Sequence, residues 1–474
     1  MKKYKKDFEI LKKYDILLKR QWERGMRMQE VVFQRKIYSQ MLNWKEESNG
    51  KTALLIKGAR RVGKSTIVEL FARKEYQSYI ILDFSKISKE INSLFEDISD
   101  LDFFFLRLQL LTNINLLERK SVIIFDEVQL QPLARQAIKH LVKDGRYDYI
   151  ETGSLLSIKK NIKDILIPSE ETRITMFPMD YEEFRWALGD DTTIPLIRMA
   201  LKQRISLGDS VNRKLMRDFR LYMLVGGMPQ AVEEYIRTNN FSRVDQIKRN
   251  ILELYEDDFR KIDPRGRISL FFKAIPAQLS KNVSRYQVST VDSNSRSSKV
   301  VDLIAEMVDS MTVNISYHAN DPNVGMALNK DFSRFKLFLA DTGLFVTLAF
   351  MDKSFTENII YEKLLSDKLP ANMGYIYENM LAQILQTAGN ELYYYTMPTE
   401  SAKHNYEIDF LLSKAGKICP VEVKASGYKR HTSLDKFIAK YQDRILEKYL
   451  VYTKDLKKEG EIWYTPIYMM PFLE

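Results

Sequence analysis

The chain is poor in the residues that mark secreted or membrane proteins. It has one cysteine, Cys419, among 474 residues. A single thiol cannot form an intrachain disulfide or a zinc finger, and it is typical of a reducing, cytoplasmic compartment. No stretch approaches the ~18 consecutive apolar residues that cross a bilayer. The lysine-rich N-terminus lacks the compact apolar core of a secretory signal, so we expect a cytoplasmic protein with no membrane partner.

Positive charge is concentrated in one place. The whole chain has a net charge of +10, and residues 1–40 carry 12 Lys/Arg against 5 Asp/Glu. The remaining body is therefore almost neutral. A basic arm of this kind could contact nucleic acid or an acidic partner. Apolar residues at helical spacing within it also fit a solvated amphipathic helix, and both interpretations stay open.

The strongest motif lies near the beginning of the body. Residues 58–65 read GARRVGKS, which fits G-x-x-x-x-G-K-[ST] between an apolar strand and a helix. The glycines let backbone N–H groups point at phosphate oxygens, Lys64 reaches the β- and γ-phosphates, and the Ser65 hydroxyl lies on Mg²⁺. The sequence therefore predicts ATP and Mg²⁺ as cofactors. The predicted nucleotide contacts in this loop are Gly58, Arg61, Gly63, Lys64, Ser65 and Thr66.

Two adjacent carboxylates follow the apolar strand at residues 121–126. Side chains alternate along a strand, so Asp126 and Glu127 point in different directions. We expect Asp126 to hold Mg²⁺ and Glu127 to polarise the attacking water. Thr152 and Ser154, at the end of the next strand, are candidate sensors of the γ-phosphate, although a simple Thr-Gly-Ser turn explains them equally well.

Strand and helix patterns alternate through the first third of the body. The predicted strands are residues 53–57, 78–84, 121–126, 148–151 and 173–177. This order predicts an α/β fold with a parallel sheet covered on both faces. Arg173 is the candidate arginine finger, with an ion pair to Glu170 or Glu171 as the alternative.

The middle of the chain is mostly helical. A sharp break is predicted at residues 226–229, which read GGMP. A helix–helix–strand order near residues 276–317 is compatible with a winged helix. Basic residues of this region could contact phosphates or form an ordinary solvated face. They are Lys281, Arg285, Arg296 and Lys299.

The last hundred residues carry a second set of charged side chains. Glu422 and Lys424 share one face of a predicted strand, and Asp409 lies on the strand before it. Carboxylates so placed can hold Mg²⁺ or Mn²⁺ beside a phosphodiester, with the lysine positioning water. Glu378 lies on the preceding helix, and Glu407 shares a face with Asp409 and is an alternative ligand. A pair of exposed edge ions would explain the same residues without a metal.

Nine segments in a fixed order resemble the AAA-type ATPases whose C-terminal half carries the domain of unknown function number 4143. They are residues 58–65, 126–129, 152–154, 178–184, 226–229, 341–344, 377–379, 407–410 and 420–424. The resemblance implies an AAA-like core, a helical and winged-helix-like middle, and a restriction-endonuclease-like C-terminal domain. It also implies a homo-oligomer, and a nuclease-type site of Glu378, Asp409, Glu422 and Lys424. Ser65 departs from the threonine of many members, and residues 1–25 lie outside the resemblance.

These observations lead to one domain plan and two functions. The predicted domains are residues 1–45 (basic segment), 46–188 (ATPase core), 189–370 (helical middle) and 371–474 (nuclease-like domain). The first function is an Mg-ATP-dependent ATPase acting on DNA, with branched or forked DNA suggested by analogy alone. The second is an ATP-dependent switch whose C-terminal domain binds partners without catalysis. Predicted catalytic residues are Lys64, Glu127, Arg173 and Lys424; predicted metal ligands are Ser65, Asp126, Glu378, Asp409 and Glu422.

Overall fold

The protein is described here by a computed structural model. It describes residues 32–153, 169–281, 283–291, 297–353, 355–366, 373–400 and 404–473, without the side chains of residues 297–299. Gln34–Glu474 form one compact unit. Residues 1–31 of the predicted basic segment lie outside the described residues, as do Ser154 and Arg296.

Five parallel strands form the first sheet, in the order β2-β3-β4-β1-β5. They are β1 Ala53–Lys57, β2 Ser78–Asp83, β3 Ser121–Asp126, β4 Asp148–Gly153 and β5 Glu171–Thr175. The central strands β1, β3 and β4 are almost completely buried. This burial on both faces explains their continuous apolar runs. The predicted parallel α/β core is confirmed, and two of the five predicted strands have the observed bounds.

Helices cover this sheet and build the middle of the chain. Those of the core are α1 Ile37–Ser48, α2 Lys64–Glu75, α3 Lys89–Asn92, α4 Leu101–Thr112, α5 Pro132–Asp144 and α6 Tyr181–Ala187. Those of the middle are α7 Thr193–Gln203, α8 Asp209–Val225, α9 Pro229–Thr238, α10 Phe241–Ile262, α11 Arg267–Ser280 and α12 Ser297–Asp309. Later helices are α13 Thr342–Ala349, α14 Asn358–Leu365, α15 Gly374–Thr387 and α16 Thr432–Tyr441. The helical middle is therefore confirmed.

The second sheet has eight strands in the order β12-β13-β11-β10-β9-β8-β6-β7. They are β6 Val313–Ala319, β7 Lys330–Leu339, β8 Leu392–Pro398, β9 Asn405–Lys414, β10 Lys417–Val423, β11 Lys448–Tyr452, β12 Lys457–Glu459 and β13 Ile462–Pro466. The predicted helix–helix–strand order of α11, α12 and β6 is present. However, β6 pairs in parallel with β8, so the β6–β7 hairpin extends the C-terminal sheet across the boundary predicted at residue 371. Which strands pair over such a separation depends on tertiary contacts that no local pattern contains.

The GGMP break joins the core to this second sheet. The N–H of Gly227 donates to Asp341 Oδ2 at 2.6 Å, and its carbonyl accepts from the N–H of Met179 at 2.7 Å. A Cβ on Gly227 would lie 2.1 Å from the Met179 carbonyl oxygen, so only glycine allows this approach. Asp341 directly follows β7 and Ala340, at the entrance to α13. The junction therefore connects the first sheet and its helices, the helical middle and the second sheet through contacts of the Gly227 backbone.

In the described part of the chain, no helix has both the length and the apolar character needed to cross a membrane.

Candidate functional site

The GARRVGKS loop follows β1 at the carboxyl edge of the first sheet. Gly63 has a φ of 99°, and a Cβ on Gly58 would lie 2.4 Å from the carbonyl oxygen of Met176. Both positions therefore need glycine, one for its dihedral angle and one for space. Lys64 is buried, and its ammonium donates to the carbonyl oxygens of Gly58 (2.9 Å) and Ala59 (3.0 Å). Its side chain thus curls over the loop, where phosphate oxygens can replace the two carbonyls.

Three side chains from outside the loop contact it, two at its backbone and one at the Arg60 side chain. The Tyr255 hydroxyl, from α10, donates to the Arg60 carbonyl at 3.1 Å. The Arg60 guanidinium forms an ion pair of 3.1 Å with Asp258, one turn further along the same helix. From the other side, Arg35 donates to the Val62 carbonyl at 2.9 Å. The loop is therefore anchored to the helical middle as well as to the core.

The predicted magnesium ligands meet at the same edge. Ser65 Oγ donates to Asp126 Oδ1 at 2.9 Å, and the Thr152 hydroxyl donates to the same carboxylate oxygen. Thr152 Oγ1 also accepts from the Glu127 N–H at 3.4 Å. These atoms come from α2, β3 and β4, whose ends the parallel pairing brings side by side. A hydroxyl and a carboxylate in direct contact at a phosphate loop fit an Mg²⁺ ion well.

Glu127 leaves β3 with a left-handed backbone (φ 56°), which is uncommon for a residue other than glycine. Its carboxylate accepts a hydrogen bond from the Gln129 side-chain amide and is only partly buried. Because Glu127 follows the end of β3 in this left-handed conformation, strand alternation does not set the direction of its side chain. Burial lowers the pKa of Lys64, while the nearby carboxylates of Glu127 and Asp126 raise it. The charges of Asp126 and Glu127 therefore act directly on the ammonium of Lys64.

Behind this edge, one arginine holds two buried carboxylates. The Arg135 guanidinium of α5 lies 2.7 Å from Glu151 on β4 and 2.8 Å from Glu171 on β5. Burial raises the pKa of Glu151 to about 8, and the charge of Arg135 opposes that shift. Glu171 also accepts from Arg173 at 2.6 Å. The ion pair that the sequence left open for Arg173 is therefore present.

The other described residues predicted to act at the nucleotide lie at exposed positions. Arg61 and Thr66 are exposed at the loop and at the first turn of α2. Arg173 is also largely exposed, in the middle of edge strand β5 rather than at its carboxyl end. Its role as an arginine finger stays a prediction, since that role involves a second subunit.

In the second sheet the predicted metal ligands converge. One oxygen from each of Glu378, Glu407 and Asp409 lies within 4.8 Å of the others. Glu378 extends from α15, and the other two from β9. Lys336, on β7, places its ammonium 2.8 Å from Glu378 Oε1 and 2.5 Å from Glu407 Oε1. A buried cation is therefore already among these carboxylates.

Glu422 and Lys424 form the other side of this cluster. The Lys424 ammonium lies 2.8 Å from Glu422 Oε1. Glu422 is 3% exposed, and its Oε2 accepts no hydrogen bond within the described part of the chain. Asp409 Oδ2 accepts from the Val423 N–H at 2.7 Å, which fixes its carboxylate against β10. The full set that the resemblance implies is therefore gathered at one place, and a buried, unsatisfied carboxylate oxygen is a suitable metal ligand.

The charged groups of the cluster shift one another's pKa values. Burial and then the Glu378 carboxylate raise the pKa of Asp409 well above its usual range, against the influence of Lys336. The carboxylates of Glu378 and Glu407 raise the pKa of Lys336, although its burial acts in the opposite direction. Lys336 therefore stays charged, whereas Asp409 lacks a sufficient counter-charge.

Sequence reasoning missed Lys336. Its neighbours Phe335, Leu337, Phe338 and Leu339 are all buried. A lone lysine inside an apolar strand is the available signal, because such a charge needs a buried partner. The partners themselves are 42 and 71 residues away and could not be identified from the pattern.

A basic cavity of about 640 Å³ opens between α8, α14 and the end of β11. Arg213, Arg217 and Arg220 line it from one face of α8, and Lys454 lines it from the loop after β11. Arg213 and Arg217 are exposed and form no ion pair with any described residue. Two carboxylates also contribute to its walls, those of Asp209 and Glu362. Of the basic residues noted in the sequence, Lys281 and Arg285 are exposed elsewhere.

Comparison with known families divides the chain into three matched segments. A model described as an AAA domain matches residues 50–185, one described as domain of unknown function DUF8612 matches residues 216–354, and one described as domain of unknown function DUF4143 matches residues 373–470. The resemblance to an AAA-type P-loop ATPase domain and to the domain number 4143 is thereby confirmed. No curated protein matches the chain significantly.

Similarity to solved structures is weak. The RuvB Holliday junction branch migration motor of Thermotoga maritima is 11% identical, with 54% of this chain and 81% of that chain covered and a TM-score of 0.28. The Hef helicase domain of Pyrococcus furiosus is 12% identical, with 89% and 91% covered and a TM-score of 0.18. Scores this low carry no argument about function.

Proposed function

We propose that this protein is an Mg-ATP-dependent ATPase that acts on nucleic acid. The observation that carries the ATPase assignment is the contact of Ser65 with Asp126 beside a glycine loop whose lysine is folded over it. Mg²⁺, when bound, supplies positive charge to the β- and γ-phosphates. Ser65 and Asp126 are the residues that would hold it. Lys64 binds the phosphates, and Glu127 accepts a proton from the attacking water.

Two substitutions separate binding from turnover. Lys64→Ala removes the only ammonium of the loop, so tight Mg-ATP binding should be lost. Glu127→Gln keeps the shape of the side chain but cannot accept the proton, so ATP should still bind while turnover falls by roughly 10²-fold or more. Binding of a fluorescent ATP analogue and phosphate release measure the two steps. Wild-type turnover by Glu127→Gln would exclude its assigned role.

The basic cavity supports nucleic acid as the partner. Arg213, Arg217 and Lys454 present unpaired or exposed positive charges across one opening, a pattern suited to phosphate oxygens. Affinity for DNA should therefore fall steeply with salt. Arg213→Ala/Arg217→Ala should lower the slope of log affinity against log salt by about two. Lys214→Ala is the matched control, because Lys214 lies on the same helix but pairs with Asp218. Equal slopes for the two variants would remove this surface from the proposal.

A metal-dependent phosphodiesterase in the C-terminal domain is the finer part of this proposal. Asp409 and Glu422 would hold Mg²⁺ or Mn²⁺, and Lys424 would position water. Mn²⁺-dependent cleavage of linear, forked and four-way DNA by wild type and by Asp409→Ala tests it. Identical traces for both proteins would leave an ATPase with a non-catalytic C-terminal domain.

The alternative is an ATP-dependent switch that binds a partner. The ion pairs of Lys336 favour it, because a cation already occupies part of the carboxylate cluster. A homo-oligomer is proposed under either function, with Arg173 reaching the neighbouring nucleotide. Light scattering with a non-hydrolysable ATP analogue tests the assembly, and a monomer in every nucleotide state would count against Arg173 acting in trans. ATP turnover unaffected by any DNA would favour the switch.

A further inference from the structure

The C-terminal carboxylate cluster has two halves that differ in how many of their carboxylates contact an ammonium. Glu378 and Glu407 share the ammonium of Lys336, at 2.8 and 2.5 Å. Asp409 and Glu422 face each other on neighbouring antiparallel strands, since Val421 pairs with Phe410. The Lys424 ammonium contacts Glu422 Oε1, and the charge of Lys336 also acts on Asp409. With every group ionised, four carboxylates and two ammonium groups leave two negative charges.

Lys336 is well suited to be a permanent cation. It is 4% exposed, and it lies on a strand whose neighbouring side chains are buried. Its ammonium also lies 5.5 Å from the centre of the Tyr394 ring, which adds a cation–π contact. A buried ammonium is retained only where opposite charges and hydrogen bonds replace water. Glu378 and Glu407 provide both, so each of these carboxylates already has a partner.

The other half offers unused oxygens. Glu422 Oε2 is buried and has no partner among the described residues. Asp409 uses Oδ2 to accept the Val423 N–H, which orients the carboxylate without neutralising it. Two rigid strands therefore present one buried carboxylate oxygen without a described partner and one oriented carboxylate.

We propose that Lys336 is the resident cation of the Glu378–Glu407 half, and that a divalent metal ion is left to Asp409 and Glu422. This inference rests on the proposed C-terminal metal site and refines it. Glu378 then acts through Lys336, as a positioning residue, and does not bind the metal. The strand that carries Lys336, β7, leads through Ala340 into Asp341, whose side chain accepts the Gly227 N–H at the junction.

The test is Mn²⁺ binding by the full-length, nucleotide-free protein, measured by the paramagnetic resonance signal of free Mn²⁺. Asp126→Asn serves as the common background, so that the nucleotide site contributes no binding. Asp409→Asn and Glu422→Gln should each weaken Mn²⁺ binding by about tenfold or more, because each removes a charged ligand. Glu378→Gln should change it by less than about threefold, as expected for a group outside the coordination shell.

Lys336→Met supplies the decisive comparison. Without the ammonium, Glu378 and Glu407 become free to bind a cation, so this variant should bind Mn²⁺ in a manner that now depends on Glu378. Lys336→Met/Glu378→Gln should lose about tenfold relative to Lys336→Met alone. The double variant removes one charge of each sign, so it also controls for folding. If Lys336→Met melts early, Mn²⁺ should raise its melting temperature more than that of wild type.

Three outcomes would contradict the inference about Lys336, and they differ in what they imply for the proposed metal site. A tenfold or greater loss of Mn²⁺ affinity in Glu378→Gln would overturn this inference and leave the proposed metal site intact. An absence of Mn²⁺ binding in wild type and in Lys336→Met alike would overturn both the inference and the metal site. Equal dependence on Glu378 with and without Lys336 would show that the lysine does not control the ligand set.

Discussion

Replacing Arg135 with methionine should strongly destabilise the ATPase core. Its guanidinium is 3% exposed, and it contacts two carboxylates that are completely buried, those of Glu151 and Glu171. Methionine fills similar space but carries no charge, so the substitution isolates the electrostatic effect. Glu151 precedes Thr152, whose hydroxyl contacts Asp126. The consequences should therefore reach the nucleotide site.

The expected magnitude follows from leaving buried charge without a partner. Breaking a buried ion pair by removing one member costs about 3–5 kcal/mol. A typical domain has a free energy of unfolding of about 5–15 kcal/mol. Because Glu151 has a pKa of about 8 and is mostly protonated at pH 7.5, fewer than two full charges lose their partner there, and we expect a loss of about 3–4 kcal/mol. The ion pair between Arg173 and Glu171 is kept in this variant, because Arg173 is not changed.

The loss should depend on pH. Burial raises the pKa of Glu151 to about 8 from an ordinary value of 4.5. The folded state therefore keeps a proton that the unfolded state releases, and this proton stabilises the folded state. The stabilisation is complete below pH 4.5 and disappears as the pH rises toward 8. Without the opposing charge of Arg135 the pKa of Glu151 should rise further, so the destabilisation should be smaller at pH 5.5 than at pH 8. Glu151 contributes at most about 1.4 kcal/mol per pH unit to the slope of the free energy of unfolding against pH. This contribution should be absent in Glu151→Gln.

Urea denaturation at pH 5.5 and 8 is the assay, with Arg135→Met/Glu151→Gln/Glu171→Gln as the matched control. Removing all three charges should recover most of the stability, because no uncompensated ion remains buried. A cost below about 1 kcal/mol for Arg135→Met would refute the reasoning, since that is the range of an exposed pair. The same cost at both pH values would refute the pH argument.

Three further substitutions test the sites and the junction. Thr152→Val should lower the kcat for ATP by roughly 10²-fold with little change in KM, because it removes the hydrogen bonds that hold Asp126 and the Glu127 backbone. Thr152→Ser should restore the kcat, since it keeps the hydroxyl. An equal loss of kcat in Thr152→Ser would exclude a role for the hydroxyl. Gly227→Ala places a Cβ 2.1 Å from the Met179 carbonyl, so urea denaturation should show a loss of about 1–3 kcal/mol. Asp341→Asn replaces one of two acceptor oxygens that receive backbone N–H groups, so we expect a loss of about 1–3 kcal/mol in the same assay; an unchanged midpoint would contradict the buried contact.

Local sequence determined the nucleotide loop and most of the elements around it. A glycine loop needs a strand before it and a helix after it, and those residues are adjacent in the chain. Residues 121–126 and 53–57 were predicted with their observed bounds, because continuous apolar runs indicate strands buried on both faces. In the second sheet, strands carrying Asp409 and Glu422 were also predicted and are present.

The tertiary structure decided what lies opposite each of these groups. The sequence placed residues 313–339 with the helical middle, yet their hairpin joins the C-terminal sheet and brings Lys336 to Glu378 and Glu407. The GGMP segment and residues 341–344, which read DTGL, carried no chemical meaning in the sequence, and in the fold they meet where only glycine fits. Periodicity reports which face of a strand is buried. It contains no information about which distant strand will cover that face, so the partner of a buried charge depends on the packing of the whole chain.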